Sequence, residues 1–129
     1  MKRQALLSGL IMIVALGGGA ASAEPGPFTE QQAADGKTKF NNHCATCHRS
    51  NLEGGQGTAL IGDAFKQKWA GKPVAELRDY IHATMPPTAP RSLADDQLDP
   101  ITAYILSKNG VAPGDAPLSK DNASAAFPN

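Results

Sequence analysis

Cys44-Ala45-Thr46-Cys47-His48 is the stretch on which the reading of this 129-residue chain turns. On a helical turn, residues three and four apart lie on the same side, so both sulfurs and the imidazole face one way. Two sulfurs at that spacing reach the two vinyl groups along a porphyrin edge, and the next residue turns its ring toward the iron. C-x-x-C-H is the pattern for covalent attachment of haem c, one per chain, with Cys44 and Cys47 as thioether donors and His48 as an axial ligand. Other uses of the same residues compete. A thioredoxin-like redox pair expects a βαβ setting, which this chain lacks. A structural zinc site needs four ligands, so His43 or His82 would have to complete the set. A plain disulfide is compatible with two cysteines in an exported chain.

Outward from the motif, Met85 is the remaining methionine once Met1 and Met12 leave with the N-terminal segment described below. A lone methionine is commonly core filler. This one precedes Pro86 and Pro87, and a residue before proline is pushed into extended geometry. A stiff extended segment presents a thioether to iron at little entropic cost, so Met85 is expected as the second axial ligand. His82 is the rival. A third option leaves the distal position open, which is the requirement for an enzymatic or ligand-binding haem.

The flanking pattern is helical. Thr29 is a candidate N-cap, with Gln32 completing a capping box, for a helix running to about Asn41. Ala33, Gly36, Phe40 and Cys44 then fall along one side. Residues 51–62 hold four glycines and read as a loop, followed by a short helix with Phe65 and Trp69. Pro73 suits the first position of the next helix, whose inner face carries Leu77, Tyr80 and Ile81. Ser92 with Asp95 offers another cap. Pro100 either kinks a helix begun at Leu93 or, with Asp99 as cap, is the first residue of a second segment. The preferred reading is a short turn and then the main last helix, Pro100 to Lys108, with Ile101, Tyr104 and Ile105 as its apolar stripe and Asn109-Gly110 as its end. Val111 to Asn129 lacks periodicity and reads as a loosely held tail. No stretch alternates like a strand. The expected fold is all-α, with helices wrapped around one haem.

At the N-terminus, Lys2 and Arg3 precede an apolar run from Ala5 to Leu16, and Ala21-Ser22-Ala23 matches a signal-peptidase site. The run is short of the roughly 20 residues a bilayer span needs. The expected organisation is therefore a signal peptide over 1–23, one domain over 24–110 and the tail over 111–129. It makes the protein periplasmic, with no stable membrane span after cleavage. Ten basic residues against twelve acidic ones then remain, a net charge of −2 with no basic cluster of the kind that nucleic acid requires. Seven aromatics are a thin supply for a core of this size and favour a fold completed by a prosthetic group. Lys66, Lys68 and Lys72 gather around Trp69, and Asp95, Asp96 and Asp99 lie beyond the methionine loop. These are solvated faces or, in the sharper reading, a lysine patch that steers an acidic partner.

Together these residues resemble the class I monohaem cytochromes c over Thr29 to Gly110. The likeness includes Gly36 and Phe40 on the first helix and Tyr104 on the last, positions that in the family cross closely. A closer resemblance, to haem c domains fused to or serving quinoprotein alcohol dehydrogenases, rests on Asn51-Leu52-Glu53-Gly54-Gly55, Trp69 in Trp-x-Gly, Met85-Pro86 and Ala103-Tyr104-Ile105-Leu106. The family often has a proline whose carbonyl supports the axial histidine. This chain has Gly57-Thr58-Ala59-Leu60, where Thr58 still offers its carbonyl. The resemblance implies an electron carrier and not an enzyme, shuttling single electrons between a dehydrogenase and a terminal acceptor such as an oxidase or another cytochrome. The alternative it implies is a non-catalytic haem subunit of a quinoprotein dehydrogenase complex.

Overall fold

Thr29 starts the first helix, its Oγ1 accepting the Gln32 amide at 3.1 Å. The computed structural model describes Gly17, Gly18 and residues 24–129, so the expected leader and its cleavage site lie outside the described residues. Helix α1 covers Glu30–His43, two residues longer than its sequence suggests, and a single turn, α2 (Ala45–His48), follows directly. Then come α3 (Asp63–Trp69), α4 (Val74–Thr84) and α5 (Asp95–Lys108). Among the described residues there are no strands, only the isolated bridges Pro25–Ala112 and Pro73–Ala126. The fold is all-α, as expected.

The principal packing is α1 against α5. A Cβ on Gly36 would fall on the Pro100 carbonyl and press on Tyr104, so glycine is what lets the two backbones meet. Beside the crossing, the Phe40 and Tyr104 rings lie 5.5 Å apart at 60°, a favourable tilted pair. Phe40, Leu98, Ile101 and Leu106 are fully buried around it.

Pro100 does not open the last helix; it lies inside it. A proline there leaves the Asp96 carbonyl without its helical donor. Tertiary contacts outweigh that loss. Arg78 on α4, only 7 % exposed, donates from Nε to Asp99 Oδ1 (2.5 Å) and from a terminal nitrogen to Asp95 Oδ1 (2.6 Å). Asp95 and Asp99 are four apart, and only a continuous helix turns both toward one guanidinium. Burial works against the Arg78 charge, but the bonds to Asp99 and Asp95 more than offset it and hold its pKa above the ordinary arginine value. The acidic cluster is thus largely a helix–helix tie. Ala94, and not Ser92, is the N-cap residue.

The segment after Gly110 is not a loosely held tail. Leu118, Ala123 and Phe127 are buried, and Phe127 stands edge-on to Phe65 at 6.1 Å. Gln32 does not close a capping box; its side-chain amide clamps this segment, accepting from the Leu118 amide at 2.6 Å and donating to the Leu118 carbonyl at 2.9 Å. Pro73 stands one position ahead of α4, at its N-cap, and offers no side-chain cap. The capping comes from the tail: the Val74 and Ala75 amides donate to the Ala125 and Ala123 carbonyls, each at 2.8 Å. Helix-start amides lack partners within their own helix, so this irregular segment gains order by supplying them.

Candidate haem site

Cys44 ends α1, its amide still bonded to the Phe40 carbonyl, and its own carbonyl accepts from the Cys47 and His48 amides at 3.2 and 3.0 Å. The motif is therefore one helical turn, as its spacing predicts. Arg49 and Leu52 take left-handed backbone (φ 61° and 63°), which reverses the chain; the Gly57 amide then donates to the Cys47 carbonyl and returns the loop to the motif. His48 is 7 % exposed, and its Nδ1 lies 2.7 Å from the Thr58 carbonyl oxygen. A carbonyl only accepts, so Nδ1 carries the proton and Nε2 holds the lone pair. The support expected of Thr58 is present without the proline. Gly57 lies against the face of the ring, where a Cβ would come within 2.7 Å of Cε1. In sequence Gly57 is one of several loop glycines and the first residue of Gly57-Thr58-Ala59-Leu60; nothing local marks it as the residue that admits the imidazole.

Cys44, Cys47, His48 and Met85 all line one cavity of about 880 Å³. Its remaining wall is drawn from every longer helix: Phe40 of α1, Phe65 and Trp69 of α3, Leu77, Tyr80 and Ile81 of α4, Ile101 and Ile105 of α5. Met85 is half-buried in extended backbone (φ −119°, ψ 144°), its amide closing α4 on the Ile81 carbonyl. His82 is not part of the lining, whereas His43 is, and the latter meets the Gln97 side chain at 3.3 Å.

The residues fit a haem. The volume lies toward the upper end of the range for cofactor pockets, about 300–1,000 Å³, and the wall is mainly apolar. Among the described residues no hydrogen bond engages His48 Nε2. Cys44 and Cys47 both carry free thiols here, each partly buried. Burial pushes the Cys44 thiol up to about 11, the opposite of the lowered value that a redox-active pair uses. Among the described residues no three His, Cys, Asp or Glu side chains converge as a metal-ion set.

The structure divides the lysine cluster. Lys68 lines the cavity; Lys66 and Lys72 do not, although Lys72 Nζ lies 5.3 Å from the Trp69 ring centre. Helical spacing carries part of this signal, because Lys68 is three residues from Phe65, which also lines the cavity.

Among solved structures, the chain is similar in fold to the sulfane dehydrogenase SoxCD from Paracoccus pantotrophus, with a TM-score of 0.60 and 24 % identity. The likeness covers 84 % of this chain and 62 % of that one, so this chain spans less than two thirds of its length. No curated protein matches. A family model described as cytochrome C oxidase, cbb3-type, subunit III, matches residues 31–105. That match runs from the second residue of α1 to Ile105 of α5 and takes in the Cys44–His48 turn, Trp69 and Met85, and the chain accordingly belongs to this cytochrome c family of haem-containing electron carriers.

Proposed function

We propose that this protein is a periplasmic one-electron shuttle with a single haem c, bound through Cys44 and Cys47 and ligated by His48 Nε2 and Met85 sulfur. The observation that carries the proposal is the one cavity on which the two thiols, the oriented imidazole and the thioether converge. The haem supplies the one-electron couple. The chain does the rest. The Thr58 carbonyl fixes the His48 tautomer and raises the basicity of Nε2. The Met85 thioether, as a soft ligand, would favour the reduced state and raise the potential. With His48 and Met85 both holding the iron, no coordination site would be left for a substrate, and the group would transfer electrons and bind no small ligand. The apolar side chains of α3, α4 and α5 limit water at the site, which also tunes the potential. Periplasmic location is supported by the N-terminal Lys2-Arg3, apolar run and Ala21-Ser22-Ala23 pattern, and no helix among the described residues is long and apolar enough to cross a membrane. Its donor is a dehydrogenase and its acceptor an oxidase or another cytochrome.

A second reading, a non-catalytic haem subunit of a quinoprotein dehydrogenase complex, draws support from the fold likeness to a chain of the sulfane dehydrogenase SoxCD. Purification of the native protein separates the two: a shuttle comes alone, a subunit with its enzyme.

Acid-acetone treatment of the purified protein should leave haem on the polypeptide; free haem in the supernatant would refute the attachment. Met85→Ala should keep the haem attached, open the distal face to carbon monoxide and lower the potential, while His82→Ala changes neither spectrum nor potential. The reverse pattern would make His82 the ligand.

A further inference from the structure

Haem brings two carboxylates as well as iron, and a carboxylate set against an apolar wall is costly without a charged or hydrogen-bonding partner. No Asp or Glu lines the cavity among the described residues, and Lys68 is the one lining side chain with a permanent positive charge. Its ammonium stands beside two aromatic rings. It lies 4.3 Å from the Tyr80 ring centre and 5.2 Å from that of Trp69, two faces that attract a cation. Lys68 is exposed and Tyr80 is 43 % exposed, so the ammonium sits where the cavity meets solvent.

We propose that Lys68, held over Tyr80 and Trp69, binds a haem carboxylate and thereby sets part of the reduction potential. The inference rests on the haem reading above and goes beyond it in assigning a charge partner. Lys66 and Lys72 serve as internal controls, being exposed lysines close by that do not line the cavity. A positive charge near the iron stabilises the reduced form, which carries one positive charge less. Removing it also leaves the carboxylate uncompensated. Both effects lower the potential.

The test is equilibrium potentiometry on the haem-loaded protein and on Lys68→Gln, Lys68→Arg, Lys66→Gln and Lys72→Gln, each at low salt and at 1 M salt. Lys68→Gln should shift the redox equilibrium toward the oxidised form by up to about tenfold, ~59 mV for a one-electron couple. The shift should persist at 1 M salt, where the Debye length is only about 3 Å and the influence of separated surface charges is screened away. Lys68→Arg should restore most of the parent potential, and the two control variants should lose their small shifts at high salt. A Lys68→Gln shift that matches the controls, or that vanishes in 1 M salt, overturns the assignment. Covalent haem and a six-coordinate spectrum in the parent are recorded first. Their absence would refute the haem reading itself, whereas a normal spectrum with an unmoved potential refutes only the role of Lys68.

Discussion

Gly36 shows how much one hydrogen atom decides here. Its replacement by alanine gains about 1 kcal/mol in helix propensity. The new methyl would meet the carbonyl of Pro100, which is backbone and cannot rotate away as a side chain would. Overpacking costs typically about 1–3 kcal/mol and more where the obstacle is rigid. The clash outweighs the propensity, so Gly36→Ala should destabilise the protein by roughly 2 kcal/mol or more, read as a lower denaturation midpoint at unchanged slope. A midpoint equal to or above the parent's would show that α1 and α5 do not meet there. Gly57 is a second such position, against the imidazole instead of another helix. The two differ in how visible they are. Gly36 stands in a periodic helical face beside Phe40 and invites the question of why a glycine is there. Gly57 stands among other loop glycines, and the ring it admits is known only from the folded path of the loop.

At the scale of elements, what was legible depended on how local the cause is. The first helix announces itself through Thr29 and its 3–4 spacing, and the Cys44–His48 turn through five adjacent residues. Pro100 misled because its local rule was overridden from a distance: the Arg78 tie to Asp95 and Asp99 joins residues 17 and 21 positions apart. The tail misled for the same reason. Gln32 and Leu118 are 86 residues apart, and an irregular strap that caps one helix and covers another has no period to read. The strap matters for the site because Phe127 backs Phe65, whose neighbour at 6.3 Å is Trp69, and both Phe65 and Trp69 line the cavity. If the segment were loose, Phe127→Ala would change stability by no more than about 0.5 kcal/mol. Phe127 is only 2 % exposed, and truncating a buried phenylalanine costs about 3–5 kcal/mol. The larger loss is expected in chemical denaturation, and a change within the smaller range would return the tail to a surface role.

For the molecule as a whole, the cavity is as much a part of the fold as any helix. Its wall takes side chains from α1, α3, α4 and α5, so the faces that other small helical proteins press together here surround a hollow of about 880 Å³. The seven aromatics hinted at this, since few large side chains are available to fill the centre. The volume and its edge lysine could not be read in that way, because they depend on where four helices come to rest. Without a group to cover it, the apolar wall would stand against water, at a cost of about 25 cal/mol per Å² of apolar surface. Total stability of a domain is about 5–15 kcal/mol. The cavity is open to solvent on one side, so that exposed apolar wall is set directly against this small margin. The haem-free chain is therefore expected not to hold this structure. Cys44→Ala/Cys47→Ala, produced without haem, should show much reduced far-ultraviolet helical signal, no cooperative thermal transition and rapid proteolysis, whereas the haem-bearing parent shows all the marks of a folded domain. A haem-free variant that unfolded cooperatively at the parent's midpoint would mean that the helices support one another around an empty centre, and that the cofactor is a passenger in the fold.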